Sequence, residues 1–168
     1  MKIRNLKHDE FDLFKQGIQE AFQKGYEAYF GPSEELIIPD QDILESYHTK
    51  GSQSFVAVED EQIMGGAIVV IDDVTQYNHL HILYVKVGSQ SKGIGYKLWS
   101  EIEKVFPNTK VWATCTPYFD KRNINFYVNK CGFHIVKYIP EHPKDSITNK
   151  DFIGDAGEGM FEFEKVMS

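Results

Sequence analysis

Leu83 to Leu98 reads L-Y-V-K-V-G-S-Q-S-K-G-I-G-Y-K-L, and no other stretch narrows the fold as far. It opens as a β-rich apolar run, breaks into a glycine-bearing loop and passes straight into a helical pattern, so a strand must feed a helix through a tight turn. Such a loop aims consecutive backbone N–H groups and a helix N-terminus at one point, which suits phosphate. Gly93 and Gly95 allow a ligand to approach the backbone with no Cβ in the way, and Lys92 and Lys97 add positive charge. The bare chemistry is that of a pyrophosphate binder.

The flanking chain supplies the rest of an α/β arrangement. Lys2 to Leu6 alternates as a first strand, and Phe11, Phe14, Ile18, Phe22 and Tyr26 recur at steps of three and four, predicting an amphipathic helix over about 9–28 that Gly31-Pro32 ends. A second helix over roughly 41–49 takes Asp40 as its N-cap and closes at Gly51. Phe55–Glu59 and Ile63–Ile71 read as a hairpin, with Gly65-Gly66 marking a bulge or a close backbone approach. His79–Val87 is the strand leading into the loop. Gly93–Val105 is a helix, Val111–Cys115 a strand, Lys121–Lys130 a helix capped at Gly132, and Phe133–Ile139 and Met160–Met167 are closing strands. The order β-α-α-β-β-β-α-β-α-β-β implies a mixed sheet flanked by about four helices. With no repeat or linker, residues 1–168 form one domain.

Composition excludes several classes. A formal charge of −7 is wrong for a nucleic-acid surface and gives no support for an anionic membrane. The N-terminus lacks a signal-peptide core, and no apolar run is long enough to span a bilayer. Cys115 and Cys131 have neither a metal-ligand spacing nor a disulfide framework. A metal-free protein of the reducing cytoplasm is expected.

Two familiar phosphate motifs fail. Gly88 and Gly93 have the Walker spacing, but Ile94 and Gly95 follow where Lys and Ser/Thr are required, and Leu98 stands where the dinucleotide fingerprint needs its third glycine or alanine. Gln90-Ser91-Lys92-Gly93-Ile94-Gly95 instead matches Q/R-x-x-G-x-G/A. Ile124-Asn125-Phe126-Tyr127-Val128-Asn129-Lys130-Cys131-Gly132-Phe133 lies downstream and resembles an FY-x-x-x-GF element. Together, in this structural order, they resemble the acetyl-CoA motif and following helix of the GCN5-related N-acetyltransferase (GNAT) superfamily.

The resemblance implies an N-acetyltransferase domain that moves an acetyl group from acetyl-CoA to a primary amine by direct transfer. It implies a central strand that splays from its neighbour, offering the backbone of Leu83, Tyr84 and Val85 to the pantetheine arm. The pyrophosphate role falls on Gln90, Ser91, Lys92, Gly93, Ile94, Gly95 and Tyr96. Tyr127 stands where the family's tyrosine supplies a proton to the departing thiolate. His79 or His81 is the candidate base, since alternation sets both on one face with Leu83. Asp120 stands where the family commonly has a cofactor-contacting asparagine, and Asn123 is the nearby substitute. Val87 replaces the usual proline, and Cys115 stands where some protein-acetylating relatives carry a glutamate.

The acceptor is a small-molecule or peptide amine. Its contacts would come from the first helix pair, where Tyr26, Tyr29 and Phe30 form either an aromatic wall or core. The acid-rich Glu141–Glu158 segment would favour a cation. A non-catalytic acyl-CoA-binding sensor is the alternative function. Exposed edge strands near the C-terminus leave room for a homodimer.

Overall fold

The computed structural model of the chain describes residues 1–140 and 159–168. The strands β1 (Lys2–Asn5), β2 (Ser52–Glu59), β3 (Gln62–Val70), β4 (Tyr77–Val85), β5 (Val111–Pro117), β6 (His134–Ile139) and β7 (Met160–Val166) form one sheet in the order β1-β2-β3-β4-β5-β7-β6. Every pairing is antiparallel except β4 with β5. The helices are α1 (Phe11–Phe30), α2 (Asp40–His48), α3 (Ile94–Val105) and α4 (Lys121–Asn125), the last continuing as a π-turn over Phe126–Lys130. The element order is the expected one.

Apolar residues divide between the two faces of the sheet. On one side α3 buries Leu98, Trp99 and Ile102 against Leu80, Trp112, Phe133 and Phe163. On the other, Phe14 and Ile18 of α1 and Ile43 of α2 cover Val56, Ile68, Ile82 and Tyr84. Burial of each such side chain is worth roughly 1.5–3 kcal/mol, so both faces are firmly held.

Several boundaries move for local reasons. A 3₁₀ turn at His8–Glu10 precedes α1, which runs to Phe30 because Gly31, at φ +82°, returns its N–H to the Glu27 carbonyl. Asp40 does not cap α2. Pro39 is the N-cap, and the Asp40 carboxylate instead receives Lys15 Nζ at 3.0 Å and Gln19 Nε2 at 2.6 Å, tying α2 to α1. The β2–β3 hairpin turns through Asp60 and Glu61, both at positive φ, as a two-residue primed turn requires.

Gly65-Gly66 turns out to be both things expected of it. The β2–β3 register slips beside it, with Ala57 opposite Gly65 and Val58 opposite Ile63. A Cβ on Gly66 would also lie 2.5 Å from the Phe14 ring and 2.8 Å from the Phe55 carbonyl.

A second bulge corrects the sequence reading of β4. Ile68 pairs with Ile82 but Val69 pairs with Leu80, leaving His81 as the extra residue. Strict alternation would set His79, His81 and Leu83 on one face. Instead His81 faces α2, where its Nδ1 lies 3.0 Å from Ser46 Oγ, while Leu83 packs into the α3-side core.

The N-terminal junction carries a pH-dependent bond. Arg4 grips Glu10 with two hydrogen bonds, of 2.9 and 2.8 Å, and Lys7 N–H adds a third at 2.9 Å. These hold the Glu10 carboxyl at about 2, well below its ordinary 4.5, the Arg4 bond contributing most. A depressed folded-state value adds stability above the unfolded value and loses it as pH falls, so the window here is about 4.5 down to 2. Glu10→Gln is expected to lower Tm by about 1–3 °C at pH 7, for a part-exposed pair worth about 1 kcal/mol or less. Thermal melts across that window should show the two proteins converge.

Candidate active site

β4 and β5 start together and then part. Tyr77, Asn78 and His79 pair with Val111, Trp112 and Ala113, and the fork is pinned by Thr114 Oγ1 donating to the Leu80 carbonyl at 3.0 Å. Beyond it β5 stays with β7 as far as Pro117–Met160, and β4 stays with β3 as far as Val85–Gly65. Among the described residues, the facing edges of β4 and β5 therefore carry no strand partner past the fork. A cleft of about 520 Å³ opens there, lined by β4, the glycine loop, the start of α3, α4 with its π-turn, and the C-terminal half of α1.

Backbone conformation builds the loop end of this cleft. Ser91 at φ +68° and Gly93 at φ +77° turn the chain into α3, and Gly93 is the N-cap with no side chain closing the first turn. The first N–H groups of α3 thus point out of the helix with no capping oxygen. Gly95 serves packing: a Cβ there would stand 3.3 Å from the Phe126 ring, which lets α3 sit close to α4. Arg122 reaches across from α4 and donates to Ser91 Oγ at 3.0 Å. Cleft, open strand edge and cationic loop together fit a long, phosphate-bearing ligand with amide groups along its length.

Most of the residues expected at this site meet here. Leu83, Tyr84, Val85, Gln90, Ser91, Gly93, Ile94, Gly95, Tyr96 and Asn123 all line the cleft, as do Tyr127 and His81. Lys92 and His79 are not among the lining residues. The β4 side chains are core: Leu83 and Val85 pack toward α3, and Tyr84 lies under Gly17 against Phe14. Asn123 gives its side-chain amide to Thr116 Oγ1 at 3.3 Å, while Asp120 caps α4 by accepting the Asn123 N–H at 3.1 Å. Burial raises the Asp120 carboxyl, an effect the Asn123 bond opposes.

Tyr127 sits on the π-turn with its ring among Phe126, Phe133 and Phe163, and only 5% of its surface is exposed. π-turns within helices concentrate at functional sites, because the extra residue re-aims the side chains around it. Burial, with lesser contributions from Cys131 and Asp120, pushes the phenol above its ordinary 10. It is therefore a neutral hydroxyl throughout the physiological range.

Three groups escaped the sequence reading. Arg122 and Lys130 line the cleft with Phe126 between them at spacings of four, a helical pattern that could have exposed them. Phe119 gathers Tyr26, Tyr29 and Phe30 at centroid distances of 5.8, 5.4 and 4.8 Å, and Tyr29 Oη accepts the Lys121 N–H at 3.2 Å. Tyr29 and Phe30 remain nearly half exposed, so the cluster is not core, and Tyr26, Tyr29 and Phe119 line the cleft. Ser46, buried beneath His81, had no local signal at all. The acidic stretch Glu141–Glu158, expected to meet the acceptor, lies outside the described residues. Among the described residues, no group of His, Cys, Asp or Glu is arranged to hold a metal, and no helix is long and apolar enough to cross a membrane.

A mixed sheet whose central strand parts from its neighbour ahead of a glycine loop opening a helix defines the N-acetyltransferase scaffold. The chain belongs to the acetyltransferase (GNAT) family, whose model matches residues 15–133. A Bacillus subtilis (strain 168) relative, the uncharacterized protein YrkN, is 39% identical over 167 residues, covering 96% of this chain and 90% of the relative. Among solved structures, an N-acetyltransferase (PaiA) from Thermoplasma acidophilum in complex with coenzyme A superposes with a TM-score of 0.70 at 19% identity, covering 99% and 98% of the two chains. Spermidine N-acetyltransferase from Vibrio cholerae, in complex with CoA and spermine, gives 0.70 at 14% identity over 98% and 94%. At these identities the likeness is one of fold.

Proposed function

We propose that this protein transfers an acetyl group from acetyl-CoA to a primary amine of a small molecule or peptide. The observation that carries the reading is the unpaired edge of β4, which runs from the fork past Leu83–Val85 into the uncapped start of α3. Acetyl-CoA supplies the activated acyl group as a thioester. The β4 backbone between Ile82 and Val85 would hold the pantetheine amides, and the N–H groups of Gly93 to Tyr96, with Gln90, Ser91 and Lys92 ahead of them, would hold the pyrophosphate. Asn123 holds the β5 side of the cleft through Thr116.

The chemistry needs a neutral amine, a polarised thioester carbonyl and a proton for the leaving sulfur. His81 is better suited than His79 to take the proton from the ammonium, because it lines the cleft. The amine nitrogen then bonds to the carbonyl carbon, the C–S bond breaks and the Tyr127 hydroxyl gives its proton to the thiolate; the second proton leaving the nitrogen restores the Tyr127 hydroxyl, and the first passes from His81 to solvent. The products are an acetamide and free CoA, with one proton released in net.

Arg122 supports the phosphate end. Arg122→Ala is expected to raise the KM for acetyl-CoA about 3- to 10-fold with kcat unchanged, and the gap should narrow at high salt because the guanidinium is exposed. Steady-state kinetics at two ionic strengths check this.

The function itself is tested by following free thiol from acetyl-CoA across a panel of polyamines, aminoglycosides, amino acids and peptide N-termini. Amine-dependent CoA release supports the reading. CoA binding without turnover on any acceptor would favour an acyl-CoA sensor instead. Cytoplasmic location and a homodimer through the exposed edge strand β6 belong to the same proposal, and gel filtration reads the latter.

A further inference from the structure

The β-bulge at His81 does more than reverse the strand's alternation. By adding one residue to β4 opposite Ile68–Val69, it sends Leu83 and Val85 into the α3-side core while the imidazole, like the His79 ring 6.3 Å away, stays on the α2 side. There it meets Ser46, 2% exposed, with Oγ 3.0 Å from Nδ1. Ser46 lies on the inner face of α2, three residues after Ile43, and both are buried. A serine in that interior position costs stability unless its hydroxyl is bonded, and His81 is its bonded side-chain partner.

The geometry points to Ser46 as the positioning residue for the proposed base. Resting on the acetyl-transfer reading above, we assign Nδ1–H as donor to Ser46 Oγ, which leaves Nε2 as the basic atom of the ring. One ring nitrogen fixes the state of the other, so a single hydrogen bond sets both tautomer and direction. During transfer Nε2 takes one proton from the acceptor ammonium, whose freed lone pair attacks the thioester carbon. Ser46 Oγ then bonds the imidazolium through the same Nδ1–H, stabilising the charged ring.

Other titratable groups surround this pair. His79 lies 6.3 Å from the His81 ring and Tyr77 5.5 Å beyond it. Tyr77 donates to Glu164, and burial first, then Glu164, with smaller contributions from Glu162 and Cys115, pushes its phenol upward. On α2, Asp42 stands one turn before Ser46 with Glu45 beside it, and burial raises its carboxyl. Ser46 Oγ stands within hydrogen-bond distance of Nδ1.

Ser46→Ala removes the acceptor with almost no change of volume. It is expected to lower kcat about 10-fold, to leave the KM for acetyl-CoA within twofold, and to move the acidic limb of the kcat/KM–pH profile downward, since an imidazolium without its acceptor is less stable. Ser46→Thr keeps a hydroxyl and should restore kcat and limb together. Imidazole ¹⁵N shifts of the free protein read the tautomer without any acceptor: Nε2 should be the unprotonated nitrogen in the wild type, and Ser46→Ala should show a mixture. A wild type with Nδ1 unprotonated, or a Ser46→Ala variant with unchanged spectrum and pH limb, overturns the assignment. Loss of turnover in His81→Ala alongside a normal Ser46→Ala overturns only the role of Ser46. Wild-type turnover in His81→Ala overturns the base role and Ser46 with it, while the acetyl-transfer reading stands or falls on the amine panel.

Discussion

Tyr127→Phe is expected to lower kcat about 100-fold or more while changing the KM for acetyl-CoA by no more than about twofold. A positioned general acid contributes roughly 10²–10⁴ in rate, and removal of one oxygen deletes that contribution alone. The ring keeps its packing against Phe126, Phe133 and Phe163, so the π-turn and cleft shape should survive. The hydroxyl's interaction with Thr114 is lost, but Thr114 Oγ1 already donates to the Leu80 carbonyl, so the β4–β5 fork stays pinned. Because burial raises the phenol above 10, this group should add no falling limb to the pH–rate profile below that value. Single-turnover kinetics with a fixed amine, alongside CoA titration and thermal melts, test all three statements. Wild-type turnover in the variant would remove Tyr127 from the chemistry.

Gly66→Ala is expected to be strongly destabilising although it adds a single methyl group. Its Cβ would stand 2.5 Å from a ring carbon of Phe14, 2.8 Å from the Phe55 carbonyl oxygen and 3.0 Å from the Tyr84 ring. None of these can swing aside: Phe14 is fully buried, Tyr84 is 3% exposed, and the carbonyl belongs to a paired strand. Overpacking of this kind costs about 1–3 kcal/mol, and a contact partly with backbone belongs at the upper end. In a chain of 168 residues that corresponds to a fall in Tm of about 10 °C. Since Gly66 pairs with Tyr84, the displaced strand is the one that borders the cleft, and CoA affinity should fall with stability. Gly25→Ala, on α1 with nothing within 4 Å of the added methyl, is the control and should be neutral or slightly stabilising. Equal melting points for the two variants would refute the packing argument.

The order of elements and the identity of the loop were written in local pattern, and local pattern survives folding. Apolar periodicity announced α1 and α3, Gly93 and Gly95 announced the loop that opens α3, and Phe126-Tyr127 with Gly132-Phe133 announced the helix opposite. Each depends on residues within a few positions of one another, so the chain alone determined an α/β acetyltransferase scaffold with a glycine loop at its centre. Tertiary structure decided what distance in sequence conceals. Whether Leu83 shares a face with His81 depends on one extra residue in the β3–β4 register, and a bulge leaves no trace in a strand whose alternation looks regular. The partnership of Ser46 with His81 spans 35 positions, and that of Arg122 with Ser91 spans 31. Asp40, by contrast, looked like a cap until packing gave its carboxylate to Lys15 and Gln19. Sequence pattern sets what a segment does by itself; which of two faces a side chain serves is set by strand register and helix docking, where the buried area and the hydrogen-bond partners lie.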